Sequence, residues 1–427
     1  MPANVSPEPV DVAIVGGGPA GLATAIFAAR NTPDQSIVVL DGARKLGAKI
    51  LMTGGGRCNV TNRTVTVSDY CGGNPHLIKR ILAAFPVERT VAFFHKIGVE
   101  LHEEENGKLF PDTNLAGTVL DALLNEAHRC GVRILAEHRV TDVQRCETGF
   151  RIVTEAMVQH ARQVVLATGG QSLPDTGSDG AGYRLAQGLG HTLVPPTPGL
   201  VPLVLGDDSH VPLSGISQDV ELTVSAAGSK ATRFRGALLW THFGVSGPAV
   251  LDASRYWHRA RLEERQVSLT VNFLPGEVFG EAERKLLALA SIQPKAFLKT
   301  ALSRLLPARV ADAVLCKLKI DGTCPMAHLS KDVRRKLVHT LLAWPLPVLE
   351  SRGYAHAEVT AGGVPLTEID AASMASRECP GLFLAGEILD VDGRIGGFNL
   401  QWAWSSAWTA GLGLARDRGP RNRHSAR

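Results

Sequence analysis

Three things are scarce in this chain of 427 residues: aromatic side chains, at 5%, paired cysteines, and long uncharged apolar runs. With no apolar run of bilayer length, no membrane-spanning helix is expected. The seven cysteines, at 58, 71, 130, 146, 316, 324 and 379, are odd in number and form no Cys-x-x-Cys pair, which excludes a dithiol redox centre on that pattern and fits reduced thiols in the cytoplasm. Residues 1–10 lack the basic start and apolar stretch of a secretory leader. The fourteen histidines are dispersed and show no metal-ligand spacing, so no metal is expected. Formal net charge is +4, yet Arg416, Arg418, Arg421, Arg423 and Arg427 against Asp417 account for it, leaving a body near neutrality. A neutral body poor in aromatics argues against a nucleic-acid partner, and the tail 416–427 reads as a solvated terminus. Neither an internal repeat nor a low-complexity tract is present, and the length calls for two or three domains.

What the chain has is glycine in chosen places. Asp11-Val12-Ala13-Ile14-Val15 reads as a buried strand and runs into Gly16-Gly17-Gly18-Pro19-Ala20-Gly21, followed by a helical pattern from Leu22 to Arg30. Gly16 permits the tight turn, Gly18 lets backbone approach a pyrophosphate, and Gly21 allows the helix to lie close on the strand. A second strand, 37–40, delivers Asp41, placed to accept from ribose hydroxyls. This is a dinucleotide-binding unit, and the fingerprint alone serves NAD and FAD equally.

The following segment favours FAD. Between Gly42 and Asn62 lie Arg44, Lys45, Lys49 and Arg57, the run Gly54-Gly55-Gly56, then Cys58, Asn59, Thr61 and Asn62. Consecutive backbone donors with cations nearby suit an anion or an electron-rich ring edge. Cys58, standing alone, reads as a packed small residue, with a flavin link or reactive thiol as lesser alternatives. Val140 ends a strand where backbone would lie near the adenine, or is plain core. Ala167-Thr168-Gly169-Gly170 breaks the apolar strand 164–166 toward the cofactor, and Gly386-Glu387 follows strand 381–385, its carboxylate placed for ribityl hydroxyls. Gly396-Gly397-Phe398-Asn399-Leu400 opens an apolar helix whose first N–H groups would face the flavin's pyrimidine edge. A second nucleotide fold is missing, since Gly177 to Gly182 follows no strand; NAD(P)H is expected only as a transient electron donor.

These motifs carry a resemblance that spans nearly the whole chain. GGGPAG at 16–21, GAKILMTGGGRCNVTN at 47–62, ATGG at 167–170, THFGVSGP at 241–248 and GEILDVDGRIGGFNLQWA at 386–403 resemble the flavoprotein family of the 3-dehydro-bile-acid reductase and aminoacetone oxidase. The resemblance implies an α/β fold: a Rossmann-like FAD-binding domain interrupted by a β-barrel-like and a helical insertion, with redox chemistry on small organic molecules. The patterning agrees, giving 1–194 and 346–415 to the FAD domain, 195–275 to short strands, 276–345 to helices and 416–427 to the tail.

Substrate contacts are expected from the insertion. Thr241 to Pro248 is the best candidate there, with Ser246 as a helix cap, and His242 is either a proton donor or acceptor or the residue holding the turn, so no catalytic residue is named. The expected function is an FAD-dependent oxidoreductase that moves hydride to or from a small molecule, by reducing an activated double bond or oxidising an amine. A flavoprotein acting on tRNA and a non-catalytic flavin-binding regulator are the alternatives. The sequence leaves the oligomeric state open.

Overall fold

The structure is a computed structural model that describes residues 8–417, so the leader reading for residues 1–7 and the tail beyond Asp417 lie outside the described residues. It divides into two compact units, one formed by residues up to Thr197 and from Glu358 onward, the other by Pro198–Ala357.

The first unit is built on a parallel sheet. β1 (Val10–Val15), β2 (Ile37–Leu40), β3 (Arg133–Leu135), β4 (Val158–Leu166) and β5 (Leu382–Leu384) lie in the order β5-β4-β1-β2-β3. The valine, isoleucine and leucine runs of β1, β2, β5 and the end of β4 are buried on both faces, as a parallel sheet covered by helices requires, while the edge strand β3 is partly exposed. The register matters for function: Val15 pairs with both Leu40 and Leu166, and Leu166 with Leu384, so four strands end level. Whatever follows them emerges along one edge.

Two helices cover that sheet. α1 (Pro19–Asn31) starts with Pro19 in its first turn, where a missing N–H costs nothing. It packs on the last helix, Phe398–Arg416, where a Cβ on Gly411 would come within 2.8 Å of Phe27 Cβ. Trp408 meets the Phe27 ring edge-on at 5.1 Å. Trp402 and Trp404 of the same helix donate their indole N–H groups to Gly386 O at 3.1 Å and Val60 O at 2.9 Å. These tryptophans are core, and they also fix the two segments proposed to face the cofactor.

The second unit is a seven-stranded antiparallel sheet carrying helices. Its strands run Trp344–Leu346, Val267–Asn272, Ser217–Ala226, Thr232–Thr241, Gly244–Ser246, Leu203–Leu205 and Val348–Ser351 from edge to edge. Helices Pro248–Leu262, Phe279–Ile292, Ala308–Leu318 and Lys331–Leu342 share one apolar core with it, including Trp257, Phe273, Leu286, Leu315, Leu337 and Trp344. The sequence divisions fell at 194/195 and 345/346, whereas the compact units change at 197/198 and 357/358. The later return follows from Val348–Ser351, which pairs with Leu203–Leu205 inside the second unit. No described helix is long and apolar enough to cross a membrane.

Candidate functional site

Turns leave the level carboxyl ends of β1, β2, β4 and β5, the position where open parallel sheets hold ligands. After β1, Gly16 has φ +106°, and a Cβ there would lie 2.4 Å from Ala167 O. A Cβ on Gly21 would lie 1.8 Å from Gly16 O, so glycine is what lets α1 rest on the turn. Gly18 differs: nothing stands within 4 Å of the place its Cβ would take. That open space faces the start of α1, where the N–H groups of Ala20 and Gly21 precede the first intrahelical bond, Leu22 N–H to Gly18 O at 3.0 Å. Free volume against helix N–H donors suits a pyrophosphate.

After β2, Asp41 is braced. Its carboxylate accepts from Gly17 N–H at 2.6 Å and Ala43 N–H at 2.7 Å, which ties the two turns together. Gly42 lies against Arg139, whose Cδ would be 2.8 Å from an added Cβ, and this brings the neighbouring Val140, itself buried, to the same edge. Arg44 and Lys45 follow, exposed.

After β4, the Thr168 and Ser178 hydroxyls are buried and have no hydrogen-bond partner among the described residues. An added Cβ on Gly169 would lie 2.7 Å from Ser178 Oγ, and one on Gly170 2.4 Å from Thr360 Oγ1. Orphaned buried hydroxyls are uncommon, and two beside one glycine turn fit a polar ligand.

After β5, Gly386 donates to Ser406 Oγ at 3.0 Å. Glu387 accepts from Thr360 N–H at 2.8 Å and from Ser172 Oγ at 3.0 Å, and it pairs with Lys49, whose ammonium also reaches Ser172 Oγ at 2.7 Å. The sequence placed Lys49 and Glu387 near the cofactor separately. Their mutual neutralisation, through Ser172 and Thr360, is a contact it did not reveal.

The loop of residues 54–62 closes the site from a different direction. Gly54, Gly55 and Gly56 have φ of +60°, +68° and +86°, a left-handed run that glycine adopts freely, and open space surrounds Gly55. Arg57 is not a free cation: it pairs with Glu104 at 2.5 Å and stacks over the Phe110 ring at 4.1 Å. The Cys58 thiol is buried, and that burial pushes its pKa up to about 12. Cys58 is therefore expected to stay unlabelled by a thiol reagent at pH 8 in the folded protein, while the exposed Cys316 reacts; peptide mass mapping showing rapid Cys58 labelling would overturn this.

Asn59, Thr61 and Asn62 tie this loop to the start of the last helix. With the Asn59 amide turned to satisfy its neighbours, its oxygen accepts from Gly397 N–H at 3.0 Å and its nitrogen donates to Thr61 O at 2.8 Å. Thr61 Oγ1 donates to Gln401 at 2.6 Å, and Asn62 donates to Gly396 O at 3.1 Å. Asn399 clamps the Gly393 backbone through both its amide atoms, at 2.8 and 2.9 Å, while Phe398 and Leu400 are buried. Gly397 N–H is thus committed to Asn59. The donors left at this helix start are the N–H groups of Phe398, Asn399 and Leu400, ahead of the first intrahelical bond from Gln401 to Gly397 O.

In the second unit, His242 is exposed and meets the Phe243 ring edge-on at 5.1 Å; Arg352, which the sequence reading missed, covers the same ring at 4.7 Å. His210 Nε2 lies 3.3 Å from His242 O. Ser246 does not cap the following helix: it ends a strand, and Gly247, at φ +94°, takes the cap position before Pro248. Among the described residues no group of His, Cys, Asp or Glu is arranged to hold a metal.

Known proteins match this arrangement. Ribosomal RNA dihydrouridine synthase of Haemophilus influenzae is 35% identical over 94% of this chain and 98% of its own length, and that of Escherichia coli is 35% identical over 95% and 98%. The 3-dehydro-bile acid delta(4,6)-reductase of Clostridium scindens is 31% identical over 95% and 98%. In fold, the chain is similar to E. coli quinol fumarate reductase, with a TM-score of 0.50 at 16% identity over 97% of this chain and 72% of that one. Residues 10–413 match the HI0933-like protein Rossmann domain, and the chain belongs to that family.

Proposed function

We propose that this FAD-dependent oxidoreductase reduces a carbon–carbon double bond conjugated with a carbonyl, with the uracil ring of structured RNA as the favoured substrate. The observation that carries the reading is the pair of chemistries among relatives that align over almost the full chain: forming dihydrouridine and reducing a delta(4,6) steroid both add two hydrogens across such a bond. FAD held here, once reduced by NAD(P)H as the transient source of electrons, would supply the hydride, and the second hydrogen would arrive as a proton from solvent or a neighbouring acid. In this reading the N–H groups at the start of α1 and the open space at Gly18 take the pyrophosphate, and Asp41 and Gly42 take the adenosine side. Thr168, Ser178 and the Glu387–Lys49 pair line the middle of the cofactor. Residues Gly54–Asn62 and the donors of Phe398–Leu400 hold the ring and favour its reduced, anionic form.

The RNA reading departs from the expectation of a small-molecule substrate, and the 35% identity of the two RNA-acting relatives is the reason. A small conjugated enone is the second reading, favoured by the bile-acid relative. Mixing the anaerobically reduced protein with uridine-containing ribosomal RNA, an enone, an amine-free buffer control and oxygen tests both. Flavin reoxidation by RNA or enone within seconds, and slow reoxidation by oxygen, is the expected result. Fast reoxidation by oxygen alone would point instead to an oxidase.

A further inference from the structure

The near-neutral body conceals a division of charge. Residues 198–357 carry twenty Lys and Arg against fourteen Asp and Glu, while residues 1–197 with 358–415 carry twenty against twenty-six. Within the second unit the excess sits in the helical stretch 276–345, with twelve basic and six acidic residues.

One end of that stretch combines cations with an exposed aromatic ring. Residues 294–299 run alongside 322–327, through Leu298 N–H to Cys324 O at 2.9 Å, Lys299 N–H to Gly322 O at 3.0 Å and Met326 N–H to Ala296 O at 2.9 Å. Phe297 stands on this segment 53% exposed, with Lys295 two residues before it. Lys319, in the left-handed conformation at φ +54°, ends helix Ala308–Leu318 and turns the chain back toward Gly322. Lys295 and Lys319 are exposed and have no carboxylate partner among the described residues. Of the nearby carboxylates, Asp312 is neutralised by Lys299 at 2.8 Å, while Asp321 accepts from Thr323 N–H and Oγ1 at 2.9 and 2.7 Å and keeps its charge, so the two lysines outnumber the one uncompensated carboxylate beside them. Leaving a phenylalanine half in water is unfavourable unless something covers it.

Resting on the RNA reading above, we infer that Lys295, Phe297 and Lys319 form a docking surface for an unpaired RNA segment, Phe297 stacking on a base and the two lysines meeting phosphates. Charge complementarity selects a polyanion, and the ring selects one with stacking bases over an acidic polypeptide.

The test uses the full FAD-loaded chain, a labelled ribosomal RNA hairpin with a uridine-bearing loop, and poly-glutamate as the acidic polypeptide, with affinity followed by anisotropy across salt concentrations. Lys295→Ala with Lys319→Ala should flatten the log–log salt slope by roughly 1.4, at about 0.7 for each phosphate contact to a single strand. Phe297→Ala should weaken RNA binding roughly tenfold with the slope unchanged. Turnover of a small enone and the flavin spectrum should stay as in the wild type. Equal affinity for poly-glutamate, or variants that bind RNA as the wild type does, would overturn the inference, even if uridine were reduced. RNA binding that responds to these variants without reduction would leave the surface standing and sink the reaction.

Discussion

A Gly18→Val protein is expected to fold normally and purify without its flavin. Gly18 has φ −80° and ψ −171°, an extended conformation that valine adopts without strain, and no atom lies within 4 Å of the added Cβ. The free protein should therefore melt within about 2 °C of the cofactor-free wild type, the usual range for a substitution that touches nothing. The cofactor meets a different surface. The valine methyl groups would fill the open space before the Ala20 and Gly21 N–H donors, so overpacking against a pyrophosphate should weaken FAD by roughly 100-fold. Titrating apo-protein with FAD and following flavin fluorescence would show it. Wild-type affinity in the variant would place the pyrophosphate elsewhere.

Gly397→Val should do the reverse and damage the protein itself. The Cβ would come 2.5 Å from both the carbonyl carbon and the oxygen of Thr61 and 2.8 Å from the Asn59 side-chain amide, and φ is +92°, where a β-branched residue is an outlier. Overpacking against backbone costs about 1–3 kcal/mol, and left-handed strain adds about 1–2 kcal/mol. A fall in melting temperature on the order of 10 °C is expected for the cofactor-free protein. The same clash pushes residues 59–62 away from the helix start, so FAD should be lost as well. Gly397→Ala keeps the strain with a smaller clash and should fall between the two. A valine variant as stable as the wild type would mean that the loop and helix are not locked together as described.

The contrast between these glycines shows what the sequence discloses. A strand, a glycine turn, a helix and an acid at a fixed distance are local, so the turn at Gly16–Gly21 between β1 and α1 and the place of Asp41 at the end of β2 could be read from spacing alone. The ends of β4 and β5 were marked by apolar runs breaking at glycine, while their level alignment lies in the pairing register. Contacts between distant segments were not legible. Lys49 and Glu387 are separated by 338 positions and each looked like a separate ligand to the cofactor, whereas their charges satisfy each other. Arg57 read as a free cation because Glu104 and Phe110 stand far from it in sequence. Gly397 read as a donor to the flavin because the reach of Asn59 across the fold carries no sequence signal. Arg352 lies just over a hundred residues past the motif around Phe243, immediately after the four-residue strand Val348–Ser351, which is too short to show alternation. The charge division failed for another reason: adding charge over the whole body cancelled two opposite excesses.

The most direct measurement is the mass of the RNA product. The FAD-loaded protein, given NADPH and ribosomal RNA that lacks dihydrouridine, should yield a uridine that has gained two hydrogens, seen by mass spectrometry of the digested RNA and absent when FAD or NADPH is withheld. The Gly18→Val protein should give none. If the wild type, loaded and reducible, leaves every uridine unchanged, the RNA reading is contradicted.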